Sequence, residues 1–180
     1  MLATAVAVPV VVALLVLINV FGPGSDDGGD GDGAVAEVSG TPVAPRDDSP
    51  VEVDTPPITP ETDAACPALM SQLPLEVAGE TSRRVDSDSP YAYAWGDPAQ
   101  VLVCGADPPA GFVVGGQQAF QINGVTWFVD TTDATVNVWT TVDRTVPVQI
   151  TIPSSTDGSV ATALSPTIAG AIPFTEPTPR

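Results

Sequence analysis

Cys66 and Cys104 are the two thiols of the chain, and they are the residues best placed to form a covalent link. They stand too far apart in sequence for the close cysteine pair that redox catalysis favours. Two thiols with no histidine anywhere fall short of the four ligands a zinc site needs. In an oxidising compartment two such cysteines pair, so the pattern predicts a structural disulfide. Acid–base and nucleophilic chemistry has less to work with. The chain contains no histidine and no lysine, which removes the commonest general base, the commonest metal ligand and the usual activators of a serine or threonine nucleophile. Thirteen carboxylates fall in residues 61–180. They leave open a carboxylate-dependent hydrolase, although no motif sets two acids side by side. No cofactor and no resident metal is expected.

The aromatic residues offer binding chemistry instead. Trp127 alternates with Val125 and Val129 and reads as core. Trp139 alternates with Asn137 and Thr141, and Phe128 with Thr126 and Asp130. Two aromatics on the more polar face imply either a covering element or a shallow site for glycan, peptide or a partner protein. Trp95-Gly96-Asp97-Pro98 reads as a turn, with Asp97 as a candidate ligand contact. Arg83-Arg84 is expected to find an intramolecular partner among the carboxylates.

These residues need a platform, and hydrophobic patterning supplies its outline. Leu2 to Phe21 has no ionisable side chain. Twenty helical residues rise roughly 30 Å, the thickness of the hydrocarbon core of a bilayer. The run is longer than the apolar region of a cleaved signal peptide, so residues 1–21 are expected to be a transmembrane anchor, with everything after it outside the cytoplasm. Residues 22–61 are rich in Gly, Pro and acid, which predicts a disordered linker with an r.m.s. span of roughly 35 Å. Its Asp/Gly run lacks the spacing of a calcium loop. A net charge of −17 argues against nucleic acid as a partner, since phosphate binding needs clustered Lys and Arg.

The extracytoplasmic domain is expected over residues 62–173, with a tail at 174–180. Thr62 or Asp63 is expected to cap a helix carrying Ala65, Leu69, Met70 and Leu73 on one face, ended by Pro74. Strands are expected at 101–104, 119–122, 125–128, 135–140 and 146–152. Asn123-Gly124 suits a two-residue type I′ turn, and that turn sets Ile122 opposite Val125 and Phe120 opposite Trp127. Ser159 to Ile172 reads as one helix, or as two divided by Pro166. The fold class expected is therefore α+β: a small antiparallel sheet of four or five strands, one helix before it and one after, preceded by a transmembrane helix and a disordered linker.

Several motifs in this order resemble a known family. Asp63-x-x-Cys66, Leu73-Pro74, Trp95-Gly96-Asp97-Pro98 and Val101-Leu102-Val103-Cys104-Gly105 are joined by Asn123-Gly124-Val125-Thr126-Trp127, Asp143-Arg144 and Val148-Gln149-Ile150-Thr151-Ile152-Pro153. Together they are similar to the actinobacterial domain-of-unknown-function family 3515. The resemblance implies an N-terminal membrane segment followed by an envelope domain, and it carries over no catalytic residue. The expectation for function is a non-enzymatic cell-envelope protein, single-pass in the cell membrane. It presents an interaction domain to another envelope protein or a cell-wall polymer. A ligand-binding module using the Trp139/Phe128 face or the Trp95–Asp97 turn is the alternative.

Overall fold

Alternating apolar residues around a tight turn are the strongest local instruction in the chain, and the computed structural model, which describes residues 49–178, follows it. Strands at Ala119–Ile122 and Val125–Asp130 pair antiparallel with Ile122 opposite Val125 and Phe120 opposite Trp127. Asn123 and Gly124 have φ of 47° and 83°, the left-handed values a type I′ turn demands. In chain order the described strands are β1 (Val51–Glu52), β2 (Glu76–Val77), β3 (Glu80–Arg83), β4 (Val85–Asp86), β5 (Ala92–Trp95), β6 (Gln100–Cys104), β7 (Ala119–Ile122), β8 (Val125–Asp130), β9 (Val136–Thr141) and β10 (Val148–Pro153). The helices are α1 (Pro60–Met70) and α2 (Ser159–Ala171).

Eight strands form one antiparallel sheet in the order β2-β3-β5-β6-β10-β9-β8-β7. Both helices contribute to the core on one face. There Leu69, Val160, Leu164 and Ile168 meet Trp95, Leu102, Trp127, Val148 and Ile150 from the strands. On the reverse face a smaller cluster of Ala92, Val103 and Ala106 is closed by Val53 and Val85. Val85 begins β4 and Val53 follows β1, and those two strands form a parallel pair outside the main sheet.

The expected fold class is corrected on these findings. The described part is β-rich, with an eight-stranded antiparallel sheet in place of four or five strands and two helices beside it. The missing strands were β2, β3 and β5. They are short, and β3 is Glu80-Thr81-Ser82-Arg83, with no apolar alternation to announce it. Residues 51–61, expected as linker, supply β1 and the first turn of α1. Among the described residues no helix is long and apolar enough to cross a membrane. The expected anchor at 1–21 and most of the expected linker lie outside the described residues.

The helices depart from expectation in instructive ways. α1 is capped by Thr59 rather than by Thr62 or Asp63: the Thr59 Oγ1 accepts from the Thr62 amide at 3.2 Å, and Pro67 stands inside the helix. α2 is one helix, with Pro166 inside it. Proline has no N–H to give the carbonyl four residues back. That carbonyl belongs to Thr162, and it accepts instead from the Asn123 side-chain amide at 3.1 Å. The hairpin turn thus repairs the bond that the proline removes. Pro147 precedes β10, an interior strand, and its carbonyl accepts from the amides of Gly105 and Ala106.

Candidate functional site

Polar groups that fold into a core must be matched there, because an unpaired buried charge is costly. Asp143 and Arg144 follow β9, and both are buried. The Asp143 Oδ2 accepts from the Thr126 amide at 2.8 Å, while its Oδ1 lies 3.3 Å from Arg144 Nε. Arg144 Nη1 donates to the Ile172 carbonyl at 3.4 Å, and Nη2 donates to the Gly124 carbonyl. Its guanidinium also sits 5.9 Å from the centre of the Phe174 ring. The pair therefore ties together the β7–β8 turn, the end of α2 and the segment after it. Backbone bonds from the Thr145 amide to Pro173 and from the Thr175 amide to Asp143, both 3.0 Å, hold that segment beside residues 143–145. Among the described residues Asp143 Oδ1 and Arg144 Nε have no hydrogen-bond partner in addition to this ion contact.

A cavity of about 220 Å³ opens beside the pair, lined by Pro108, Pro109, Phe112, Thr141, Arg144 and Glu176 among others. This is below the ~300–1,000 Å³ of ordinary small-molecule sites, and it has room for a side chain or a short loop. Phe112 forms one wall and also packs edge-on against Phe128 at 6.0 Å between ring centres. The cavity can bind, by shape and by contact with proline and aromatic surface. Asp143 and Arg144 engage each other and the backbone, so their placement serves the framework.

The candidate residues from the sequence do not converge. Trp139 and Phe128 are on opposite faces of the sheet: Trp139 faces Val129, and Phe128 faces Thr140. The common polar face expected for them is corrected accordingly. Period-two reading assigned each strand a face but not which faces coincide across the sheet. Trp139 packs edge-on to Trp127 at 6.3 Å, and the turn before α2 covers it. A Cβ on Gly158 would lie 2.8 Å from its ring, so only glycine fits there. Phe128 is buried. Trp95 is fully buried, and its indole donates to the Pro74 carbonyl at 2.9 Å. Asp97 is exposed and leads into a cis peptide with Pro98. Arg83 donates to the backbone carbonyls of Ser49 and Gly96.

Cys66 and Cys104 are bonded to each other, and both are buried. The bond joins α1 to the end of β6. Gly105, with φ of 89°, follows at the closest approach, where a Cβ would meet the Thr62 methyl at 2.5 Å. Nearby, the Tyr91 hydroxyl donates to Asp63 at 2.5 Å, and that carboxylate holds the phenol above its ordinary pKa. Sequence reasoning noted Asp143-Arg144 only as part of a motif. The available signal was an acid and a base side by side between two apolar strands.

Among the described residues no cluster of three His, Cys, Asp or Glu is arranged to hold a metal. The pattern of a family described as "Protein of unknown function (DUF3515)" matches residues 4–177, and the chain belongs to that family. No curated protein and no solved structure matches it.

Proposed function

We propose that this member of the domain-of-unknown-function 3515 family is an exported, non-enzymatic protein of the cell envelope, held at the membrane by its apolar N-terminal run, and that its domain works by binding another envelope protein. The observation that carries the reading is the sealed Cys66–Cys104 bond, which takes up both thiols of the chain. Disulfides of this kind persist outside reducing compartments. The uncharged stretch Leu2–Phe21 favours lipid over water, which agrees with export.

The binding role draws on the cavity beside Arg144. Its size suits an inserted side chain, and its lining of proline and phenylalanine with Thr141, Arg144 and Glu176 suits one that carries both apolar and polar surface. An aromatic glycan platform loses its basis, since Trp139 and Phe128 face opposite ways. The test combines location with capture. Native membranes carrying a photo-crosslinker in place of Phe112 are expected to yield one adduct with an envelope protein, and the chain is expected to resist alkylation until reduced. Recovery from soluble cytosol with two free thiols would defeat the placement. No adduct, or an indiscriminate smear of adducts, would defeat the binding role.

A further inference from the structure

We propose that β7 is the edge through which two copies of this chain pair, antiparallel, about a two-fold axis at Phe120. Backbone direction is the first argument. The turn at Asn123-Gly124 makes Ile122 and Val125 a hydrogen-bonded pair. Alternation then repeats that state at Phe120/Trp127 and at Gln118/Val129, and the Val129 amide does bond the Gln118 carbonyl at 3.0 Å. Ala119 and Gln121 accordingly turn their backbone groups away from β8, and among the described residues β7 has no neighbour on that side. The Ala119 amide reaches back to Gly116 at a long 3.3 Å. A second β7 running antiparallel sets Ala119 against the other copy's Gln121, and Gln121 against its Ala119. Phe120 then meets Phe120 across the axis.

Charge is the second argument: this stretch is where a copy of this chain can approach without acids meeting acids. From Pro108 to Val129 the sequence holds no ionisable residue, within a chain of net charge −17. Two such chains repel wherever acids face acids, and a contact built from this stretch places none at the interface. Natural edge strands are guarded by charge, proline or brevity. The opposite edge has two of these guards, since β2 is two residues long and includes Glu76. β7 reads Ala-Phe-Gln-Ile and has neither charge nor proline. Three of the six large apolar side chains exposed among the described residues stand in the same stretch: Phe120 is 50% exposed, Val113 62% and Val114 52%.

The test uses the full chain in mild detergent. Both native cysteines are bonded, so Phe120→Cys introduces the one free thiol. Opposed residues of a non-hydrogen-bonded pair lie about 4.5 Å apart at Cα, within disulfide reach. Mild oxidation is expected to give a covalent dimer of Phe120→Cys and none of Glu76→Cys, at the other edge. Phe120→Lys sets like charges face to face and is expected to reduce the dimer at least about tenfold. Gln121→Glu, at an exposed position, instead sets a carboxylate against the other copy's Ala119 and adds charge to two chains that are already acidic, so it is expected to weaken the dimer as well. A wild-type chain that stays at 18.3 kDa of protein mass through the micromolar range overturns the proposal. So does a dimer that survives both charged variants, or a Phe120→Cys adduct formed with a different protein only.

Discussion

The two ends of the sheet are fastened by different chemistry. At the β2-β3-β5-β6 end the fastening is covalent: Cys66–Cys104 joins α1 to β6, and the β1/β4 pair closes the reverse face. At the β10-β9-β8-β7 end it is electrostatic and directional. There the Asp143–Arg144 pair grips the hairpin turn and the end of α2, and Trp127 Nε1 donates to Ser165 Oγ at 2.9 Å. A disulfide acts largely by restricting the unfolded chain and leaves few partners behind when removed. A buried ion pair adds little net stability while intact, yet it strands a charge when half of it is lost. The two ends should therefore respond differently to the same kind of single-site damage.

The largest effect is expected from Arg144→Ala, which leaves Asp143 buried without its counter-ion and should cost about 3–5 kcal/mol. Denaturant midpoints would measure it. If Arg144→Ala with Asp143→Ala is as unstable as Arg144→Ala alone, the stranded charge is not the reason. Next comes the double change Cys66→Ser with Cys104→Ser. Opening a loop that spans 38 positions should cost up to about 4 kcal/mol in the chain-entropy model. A loss well under 1 kcal/mol would mean that the helix and β6 hold each other unaided.

Ser165→Ala should be milder, at about 1–3 kcal/mol, because the Trp127 indole N–H is left buried without its acceptor. Its own donation to the Ala161 carbonyl, at 2.7 Å, is replaceable by the helix. Unchanged stability together with an unchanged Trp127 fluorescence spectrum would contradict that bond. The smallest effects are pH-dependent, and the carboxylates differ in sign from the Tyr91 phenol. Near the β8–α2 end, Asp130, Asp133 and Asp157 are held below their ordinary pKa by hydrogen bonds from Thr132, Thr135 and Ser159. A depressed carboxylate stabilises the fold above its ordinary value of 3.8 and loses that contribution as pH falls through the lower folded value. Glu61 at α1 behaves alike. Tyr91, at the disulfide end, is raised above 10.0, so its contribution is complete below that pH and fades as pH rises through the folded value. Asp133→Asn should flatten the acid limb of melting temperature against pH, and Tyr91→Phe the alkaline limb. Exchange of those two outcomes would refute the assignment.

Local chemistry made part of the architecture legible. The Asn123-Gly124 hairpin and its register follow from backbone preference and alternation, which need no distant partner. The cysteine pairing followed from composition, and the helix near residue 60 from its apolar face. The α2 segment was legible too, though its continuity through Pro166 rests on Asn123, a residue far away in sequence.

Tertiary structure decided the rest. Strands β2 and β3 are too short and too polar to declare themselves, and they exist because neighbouring strands offer their backbone groups partners. Alternation assigned Trp139 and Phe128 to faces within their own strands, but only cross-strand register put those faces on opposite sides. The meeting of Arg144 with Gly124, Ile172 and Phe174 lies beyond sequence reading, because burial of a charge depends on what three separate segments bring to it. Sequence alone carries the interactions between near neighbours. Where distant segments must share one set of polar groups or one covered face, the packed chain makes the choice.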